Sequence, residues 1–489
     1  MSEGKSTTTL LHENDGHTKA EVLEDLEAVS SNGKLKWYDK QWVSFIPPYS
    51  NAMVQVVMLS CVLFLSPGMF NALTGIGASI DDVATSDNAN VALYSTFASI
   101  GFFSGTILNT IGLRPSMAFG CTGYIIYAGS LLCFIDTRNK GFVIFSGAYL
   151  GVCASCLWVS ANTILTSYPT EENKGKAIMI FWVIFNLGAV IGSIIPLANN
   201  INNEGFAANK GTYVAFIILM CLGFGLAWLM LPFERVVRTD GSKVSFEKHP
   251  HWLKELKALG TTLIREPMIL LMFPMFFLSN WFYTYQFNVF NAGRFNLRTR
   301  SLNSLLYWLS QMLGAIFVGN LLDWQRFGRA KRAKAGVVVL SILTAVIWGG
   351  GLKFEDGYTR ENIDQFVSID YTHSNYVGPM FLYMFYGVYD AVFQNYILWI
   401  IGALSNDSKK NAIYSGFYKG IQSAGAAIAW RLDAIHKPYS VLFGTSWGLA
   451  QASLVIAIPL IWTVKDHTRT TEETVVEEVL LKQETVHNE

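Results

Sequence analysis

From Asn51 to about Trp462 the chain is a succession of apolar runs, each near 20 residues, separated by short breaks that carry Gly, Pro or charge. About 20 apolar residues at 1.5 Å each cross the ~30 Å hydrocarbon layer of a bilayer. The pattern predicts twelve transmembrane helices, at 51–75, 91–111, 116–135, 142–167, 178–198, 212–231, 268–290, 302–322, 335–350, 377–402, 412–432 and 439–462. The seventh run is interrupted by polar residues and the ninth is short at its loop side. Only GLRP (Gly112 to Pro115) separates the second and third, which makes them antiparallel neighbours. Residues 1–36 are polar with no long apolar run, so a cytosolic tail without a cleavable leader is expected.

Composition agrees with a bilayer solvent. The chain is 51% hydrophobic and only 15% charged, against about a quarter in soluble proteins, and its formal net charge is zero. A nucleic-acid partner is not expected without a basic excess; the lipid bilayer is. With the N-terminus cytosolic, that side collects 25 of the 36 Lys and Arg, the opposite loops hold 10 when Arg431 at the very end of its run is counted with them, and one lies deep within a run. The positive-inside rule then puts both termini in the cytosol. The expected organisation is a tail (1–50), a six-helix half (51–231), a cytosolic linker (232–267), a second six-helix half (268–462) and a second tail (463–489). In the linker Trp252, Leu256 and Leu259 recur at helical spacing, open to two readings: a helix on the membrane surface or a solvated turn. The acidic C-terminal tail reads as disordered or partner-binding, and its composition suits disorder better.

Two similar halves should end their second helices alike. GTILNTIGLRP (Gly105 to Pro115) aligns with GNLLDWQRFGRAKR (Gly319 to Arg332), placing Gly105 on Gly319 and Asn109 on Asp323, each followed by Gly and Arg. A further echo lies between KAIMIFWVIFNLGAVIGS, from Lys176, and NAIYSGFYKGIQSAGAA, from Asn411. The Gly-x-Leu-x-Asp, then Gly and Arg, pattern resembles the signature of the major facilitator superfamily. The stretches SPGMFNALTGIGAS (from Ser66), LWVSANTILTSYPTEENKGKAIMIFWVIFNLGAVIGS (from Leu157) and SGFYKGIQSAGAAIAWRLD (from Ser415) resemble its uncoordinated-93-like branch, the fungal members in particular. The resemblance covers about Trp37 to Thr463. It implies the major facilitator fold, an all-α polytopic membrane protein with twelve transmembrane helices in two six-helix bundles, and a transporter or a transporter-derived membrane protein. It also implies that the first, fourth, seventh and tenth helices line a central cavity.

A carboxylate at a helix C-terminus opposes the macrodipole, so Asp323 needs compensation. Arg326 and Arg329 are close in sequence, and the N-termini of the fifth and eleventh helices open on the same side. Gly105, Asn109, Arg114, Gly319, Asp323, Arg326 and Arg329 are therefore the candidate cytosolic latch, with solvation at the headgroups as the alternative for Asp323. Glycines four apart (Gly101/Gly105, Gly147/Gly151, Gly188/Gly192, Gly416/Gly420) predict close helix packing.

A charge deep in a bilayer costs at least about 2.5 kcal/mol, and two lie deep here, Asp390 in the tenth run and Lys419 in the eleventh. Counting from opposite ends puts both near mid-membrane, and a direct ion pair is expected. It reads either as a coupling site for a proton or cation or as a static buried pair. Tyr386, Gln394 and Gln422 share their faces. Other candidates for a cavity are Asn51, Gln55 and Asn71 in the first helix, Trp158, Asn162, Trp182 and Asn186 in the fourth and fifth, and Asn280, Tyr283 and Gln286 in the seventh.

Cys153-x-x-Cys156 lies on an apolar helix and reads as small packing residues; His249 and His251 read as a loop pair. No phosphate loop and no nucleophile-base set is present, so neither a cofactor, a metal nor catalysis is expected. The sequon Asn406-Asp407-Ser408 falls in a cytosolic loop and should stay unmodified. The sequence thus favours a secondary transporter of a small polar or ionic solute, in the plasma membrane or a vacuolar or endosomal membrane. The rival is a non-transporting partner that regulates or traffics another membrane protein.

Overall fold

The computed structural model describes residues 36–41, 47–75, 83–170, 172–200, 210–244, 252–355, 357–405 and 408–466. Most of both tails, the pair His249 and His251, and the sequon's Asn406 and Asp407 lie outside the described residues. The described residues fall into two compact units, divided between Asn51 and Ala52. In the first, Trp37 stacks on Tyr49 and the Ser50 amide donates to the Tyr38 carbonyl at 2.9 Å. Asn51 belongs to this unit.

The second unit is built from helices. Among the described residues its β structure is confined to two isolated bridges, Val237 to Lys243 and Phe295 to Ile369. We label the helices α1 (Ala52–Leu63, a π turn Phe64–Gly68, then Met69–Gly75), α2 (Val83–Ile111), α3 (Leu113–Thr137), α4 (Lys140–Ser167), α5 (Lys174–Asn200) and α6 (Lys210–Leu229). The second half holds α7 (3-10 turns Pro267–Met272, then Phe273–Leu278, then a π stretch Tyr285–Ala292), α8 (Leu297–Leu322), α9 (Arg329–Glu355), α10 (Val377–Leu404), α11 (Ser408–Ala434) and α12 (Tyr439–Trp462). Between the halves a helix covers Trp252–Arg265. Eight of these, α1 to α5, α8, α9 and α12, are long and apolar enough to cross a membrane. The polar residues of α10 and α11 face protein: Asp390, Gln394, Asn395, Lys419 and Gln422 are all buried.

Local chemistry explains the irregular elements. Pro67 has no N–H to give, and the helix absorbs it as a π turn without breaking. The bared backbone receives α5, since a Cβ on Gly188 would stand 2.6 Å from the Phe64 carbonyl oxygen. The seventh run is three pieces rather than one helix. Pro267 opens it in 3-10 form, and residues 279–282 are turns that bring Asn280 and Tyr283 to the cavity described below. The GLRP connection is tighter than expected. Only Gly112, at φ 84°, is non-helical, and Leu113, Arg114 and Pro115 form the first turn of α3, where a proline costs nothing. The ninth helix is longer than 335–350 because its basic residues Arg329, Lys331 and Arg332 lie inside its first turn.

The glycine pairs pack against definite neighbours. Gly101 lies on Gly420, where an added Cβ would be 2.7 Å from the Gly420 Cα, and Gly105 lies on Ala412, its Cβ 2.7 Å from that carbonyl oxygen. These contacts join α2 of the first half to α11 of the second. Gly175 and Gly319 do the same for α5 and α8. Gly147 closes on Ala89, and Gly151 on Leu93 and Thr96, within the first half. Where side chains vanish, backbones meet and dispersion replaces the hydrophobic effect that lipid cannot supply.

Candidate functional site

Between the halves lies a cavity of about 90 Å³, well below the ~300–1,000 Å³ of drug-sized pockets. Helices of both halves supply its walls. Asn71, Trp158 and Trp182 come from the first half, and Asn280, Tyr283, Gln394, Lys419 and Gln422 from the second. All eight are sequence candidates. Tyr94, Trp308 and Gln311 also line it and were not anticipated.

Asp390 lies behind this wall, fully buried, at the centre of four donors. The Tyr283 hydroxyl, the Tyr307 hydroxyl and the Gln311 amide give to its Oδ2 at 2.8, 3.2 and 2.6 Å, and the Gln394 amide gives to its Oδ1 at 2.7 Å. Charge-assisted bonds of this kind are the strong ones. Gln311 also accepts from the Trp182 indole at 3.0 Å, which ties the carboxylate to α5 across the interface.

Lys419 is 95% buried and makes no direct ion pair with Asp390. Its ammonium donates to Gln422 Oε1 at 2.7 Å and sits over the rings of Trp158 at 4.5 Å and Tyr418 at 4.7 Å. The amide of Gln422 reaches Gln394 Oε1 at 3.1 Å, and Gln394 reaches Asp390. The expected pair is therefore bridged by two glutamines. Helical spacing put both charges at one depth, but the sideways distance between α10 and α11 is filled by Gln394 and Gln422. Trp158 belongs to the first half, so the ammonium also touches both halves.

Other candidates lie elsewhere for reasons of register. Asn162 and Asn186 sit one turn beyond Trp158 and Trp182. Asn186 bonds back to the Trp182 carbonyl at 2.9 Å, and Asn162 is fully buried with neither amide atom bonded among the described residues. Gln55 accepts from the Leu231 amide at 2.9 Å, at the end of α6. Gln286 accepts from Tyr307 at 2.8 Å behind the wall, and Tyr386 packs into the rings of Tyr285, Phe290 and Trp348. The i, i+4 pair Tyr307 and Gln311 on α8 was the available signal for the two polar groups that sequence reasoning missed.

Asp323 is the C-cap of α8 and is buried. Its Oδ1 accepts from the Gly175 amide at 2.8 Å and its Oδ2 from the Lys176 amide at 2.6 Å, both in the first turn of α5. A helix N-terminus offers free N–H groups and a positive partial charge, which answers the unfavourable dipole of α8. Gly175 must be glycine here, because a Cβ would stand 2.6 Å from Asp323 Oδ1. The nearby cations are Arg332, one turn into α9, and Lys176, not Arg326 or Arg329 as expected. Arg326 is exposed, and Arg329 donates to the Lys465 carbonyl at 2.7 Å. The stretched loop Trp324 to Gly328 carries Arg326 outward and lets the helix return Arg332. Arg114 donates to the Met230 carbonyl at 2.5 Å, and Asn109 is fully buried. Further contacts close this end: Lys174 donates to the Gly402 carbonyl, and the Asn411 amide to Ser167 Oγ at 3.1 Å.

Burial pushes the Asp323 carboxyl up to about 6, although the Lys176 and Gly175 amides and Arg332 pull it down. In the docked state it exceeds its ordinary value of about 3.9, so docking favours the protonated acid. The contribution to closure is complete below that ordinary value and is lost as pH rises through about 6. A cysteine introduced at Ser167 should accordingly be alkylated faster at pH 7.5 than at pH 5, after correction for thiolate content. Asp323→Asn should flatten that difference; an unchanged pH profile would show that Asp323 does not govern closure.

The sequence profile of the Major Facilitator Superfamily matches residues 50–430. A UNC93-like protein of Schizosaccharomyces pombe is 52% identical over 419 residues, 85% of this chain and 83% of the relative. UNC93-like protein 1 of Arabidopsis thaliana is 38% identical over 418 residues, 85% of this chain and 91% of the relative. Among solved structures, the fucose:proton symporter of E. coli superposes with a TM-score of 0.59 at 10% identity, covering 85% of this chain and 98% of that one. A bacterial homologue of the iron transporter ferroportin, in an outward-facing state, superposes at 0.58 and 11% identity, covering 84% and 99%. The fold is thus that of the major facilitators. The chain is a multi-pass integral membrane protein of the major facilitator superfamily and belongs with its UNC93-like members.

Proposed function

We propose that the chain is a secondary transporter that moves a small polar or ionic solute by alternating access of its two halves around the central cavity. The observation that carries this reading is Lys419. A buried ammonium on α11 of the second half rests on Trp158 of the first and is wired through Gln422 and Gln394 to a buried carboxylate. Buried ionisable groups at the interface of two mobile halves are costly unless they serve the cycle. The closed end at Asp323 supplies the other requirement, a set of contacts between the halves that must break for the cavity to open there. The bias of Lys and Arg puts that end, and both termini, in the cytosol.

The rival reading, a non-transporting partner of another membrane protein, is favoured by Asn109, which stands where the second half has Asp323. Uptake into proteoliposomes separates the two. Wild-type protein should take up at least one solute above empty liposomes, and Asp390→Asn should abolish the proton dependence of that uptake. Absence of flux across anionic, cationic and neutral solutes, with a membrane protein copurifying in constant ratio, would support the rival.

A further inference from the structure

We propose that the cavity binds a small monovalent organic anion, a monocarboxylate, at Lys419, and that one proton travels with it on Asp390. This rests on the transport reading above and names the substrate class of the same site.

Among the described residues lining the cavity, Lys419 is the only charged one. A cation would meet it unscreened. An anion would find a buried ammonium with three donors, of which one is engaged by Gln422 while the others face rings. The amides of Asn71 and Asn280 add polar groups, and the rings of Tyr94, Trp158 and Trp182 offer an apolar wall for a short organic tail. The cavity of about 90 Å³ limits that tail to a few heavy atoms.

The proton follows from charge balance. With Asp390 ionised, its charge and that of Lys419 cancel across the two glutamines. The hydroxyls of Tyr283 of α7 and Tyr307 of α8 donate to the carboxylate and that of Tyr418 of α11 to the neighbouring Gln394 Oε1, and a phenol ordinarily carries no charge near pH 7. Lys419 is therefore the charge that senses Asp390. When Asp390 takes a proton, the ammonium loses its counter-charge, and a bound carboxylate restores it. Asp⁻/Lys⁺ and AspH/Lys⁺/anion⁻ both sum to zero, so proton and anion load and leave together and the cycle moves no net charge.

The test uses full-length protein in proteoliposomes with an acidic exterior and four radiolabelled probes, lactate, pyruvate, choline and glucose. Wild type should accumulate lactate or pyruvate, saturably and without current, and neither choline nor glucose. Lys419→Gln should lower anion uptake by about thirtyfold or more, the scale of losing one partner of a buried charge pair, and Lys419→Arg should retain part of it. Gln422→Glu, which sets a fixed carboxylate beside the ammonium, should block anions as strongly. That variant decides the matter should Lys419→Gln fail to elute as a folded peak. Uptake of choline or glucose in place of the anions, or anion uptake that survives Gln422→Glu, would overturn the anion assignment and leave transport standing. No flux of any probe would remove the transport reading, and this inference with it.

Discussion

Asp390→Asn and Lys419→Gln should each destabilise the purified protein by about 3–5 kcal/mol, the cost of leaving one buried charge without the other. The double replacement should cost less than the sum, by about 1–3 kcal/mol of coupling. The expectation follows from the geometry of the bridge. In Asp390→Asn four donors, from Tyr283, Tyr307, Gln311 and Gln394, converge on an amide that can accept at one atom only. In Lys419→Gln the carboxylate keeps its donors but loses the charge that the two glutamines relay. Thermal unfolding can be followed by dye alkylation of the buried Cys121, Cys153 and Cys156 in a background where the accessible Cys61, Cys133 and Cys221 are replaced by Ser. Strict additivity would mean that Gln394 and Gln422 insulate the two charges from each other.

The second large effect is expected where α2 meets α11. Gly101→Val and Gly105→Leu put side chains into backbone, the Gly420 Cα and the Ala412 carbonyl each standing 2.7 Å from the new Cβ. Backbone cannot swing aside as a side-chain tip can, so the helices must separate, at about 1–3 kcal/mol for each overpacked site. In the alternating-access reading proposed above closure needs that approach, and transport should be lost while the two halves still fold. Gly129→Ala in α3 is the control. Nothing lies within 4 Å of its Cβ, and replacing a helical glycine by alanine should stabilise by up to about 1 kcal/mol. If Gly101→Val transports as well as Gly129→Ala, the two helices do not need their close contact.

The second half was read from sequence with mixed success, and α8 shows why. Its C-terminal end is legible because a burst of charge follows Leu322, whereas its start, expected at 302, lies at Leu297 behind the Asn296 cap. The repeat pointed to Asp323 as a latch, and the structure puts its carboxylate on the first turn of α5. The cation beside it was misassigned, since Arg326, Arg329 and Arg332 all lie in one short stretch and only the path of the loop selects among them. Asp390 and Lys419 were conspicuous as charges in apolar runs, yet a direct pair was expected where Gln394 and Gln422 intervene. Tyr307 and Gln311 share one face of α8, but an uncharged phenol and amide in an apolar helix do not stand out as a buried charge does.

Hydropathy and length alone determined that this chain crosses a membrane repeatedly, and its motifs pointed to two related halves. Both properties are local, because a bilayer reads each run of about 20 residues separately and the breaks between runs are fixed by Gly, Pro and charge. The rotation of each helix about its axis is not local. It is set by which small residues meet, as Gly101 meets Gly420 and Gly175 meets Gly319. That rotation turned Trp158 and Trp182 into the cavity and left Asn162 and Asn186 outside it. It put Asp390 behind the wall and Lys419 on it, and so gave the cavity one ionisable side chain.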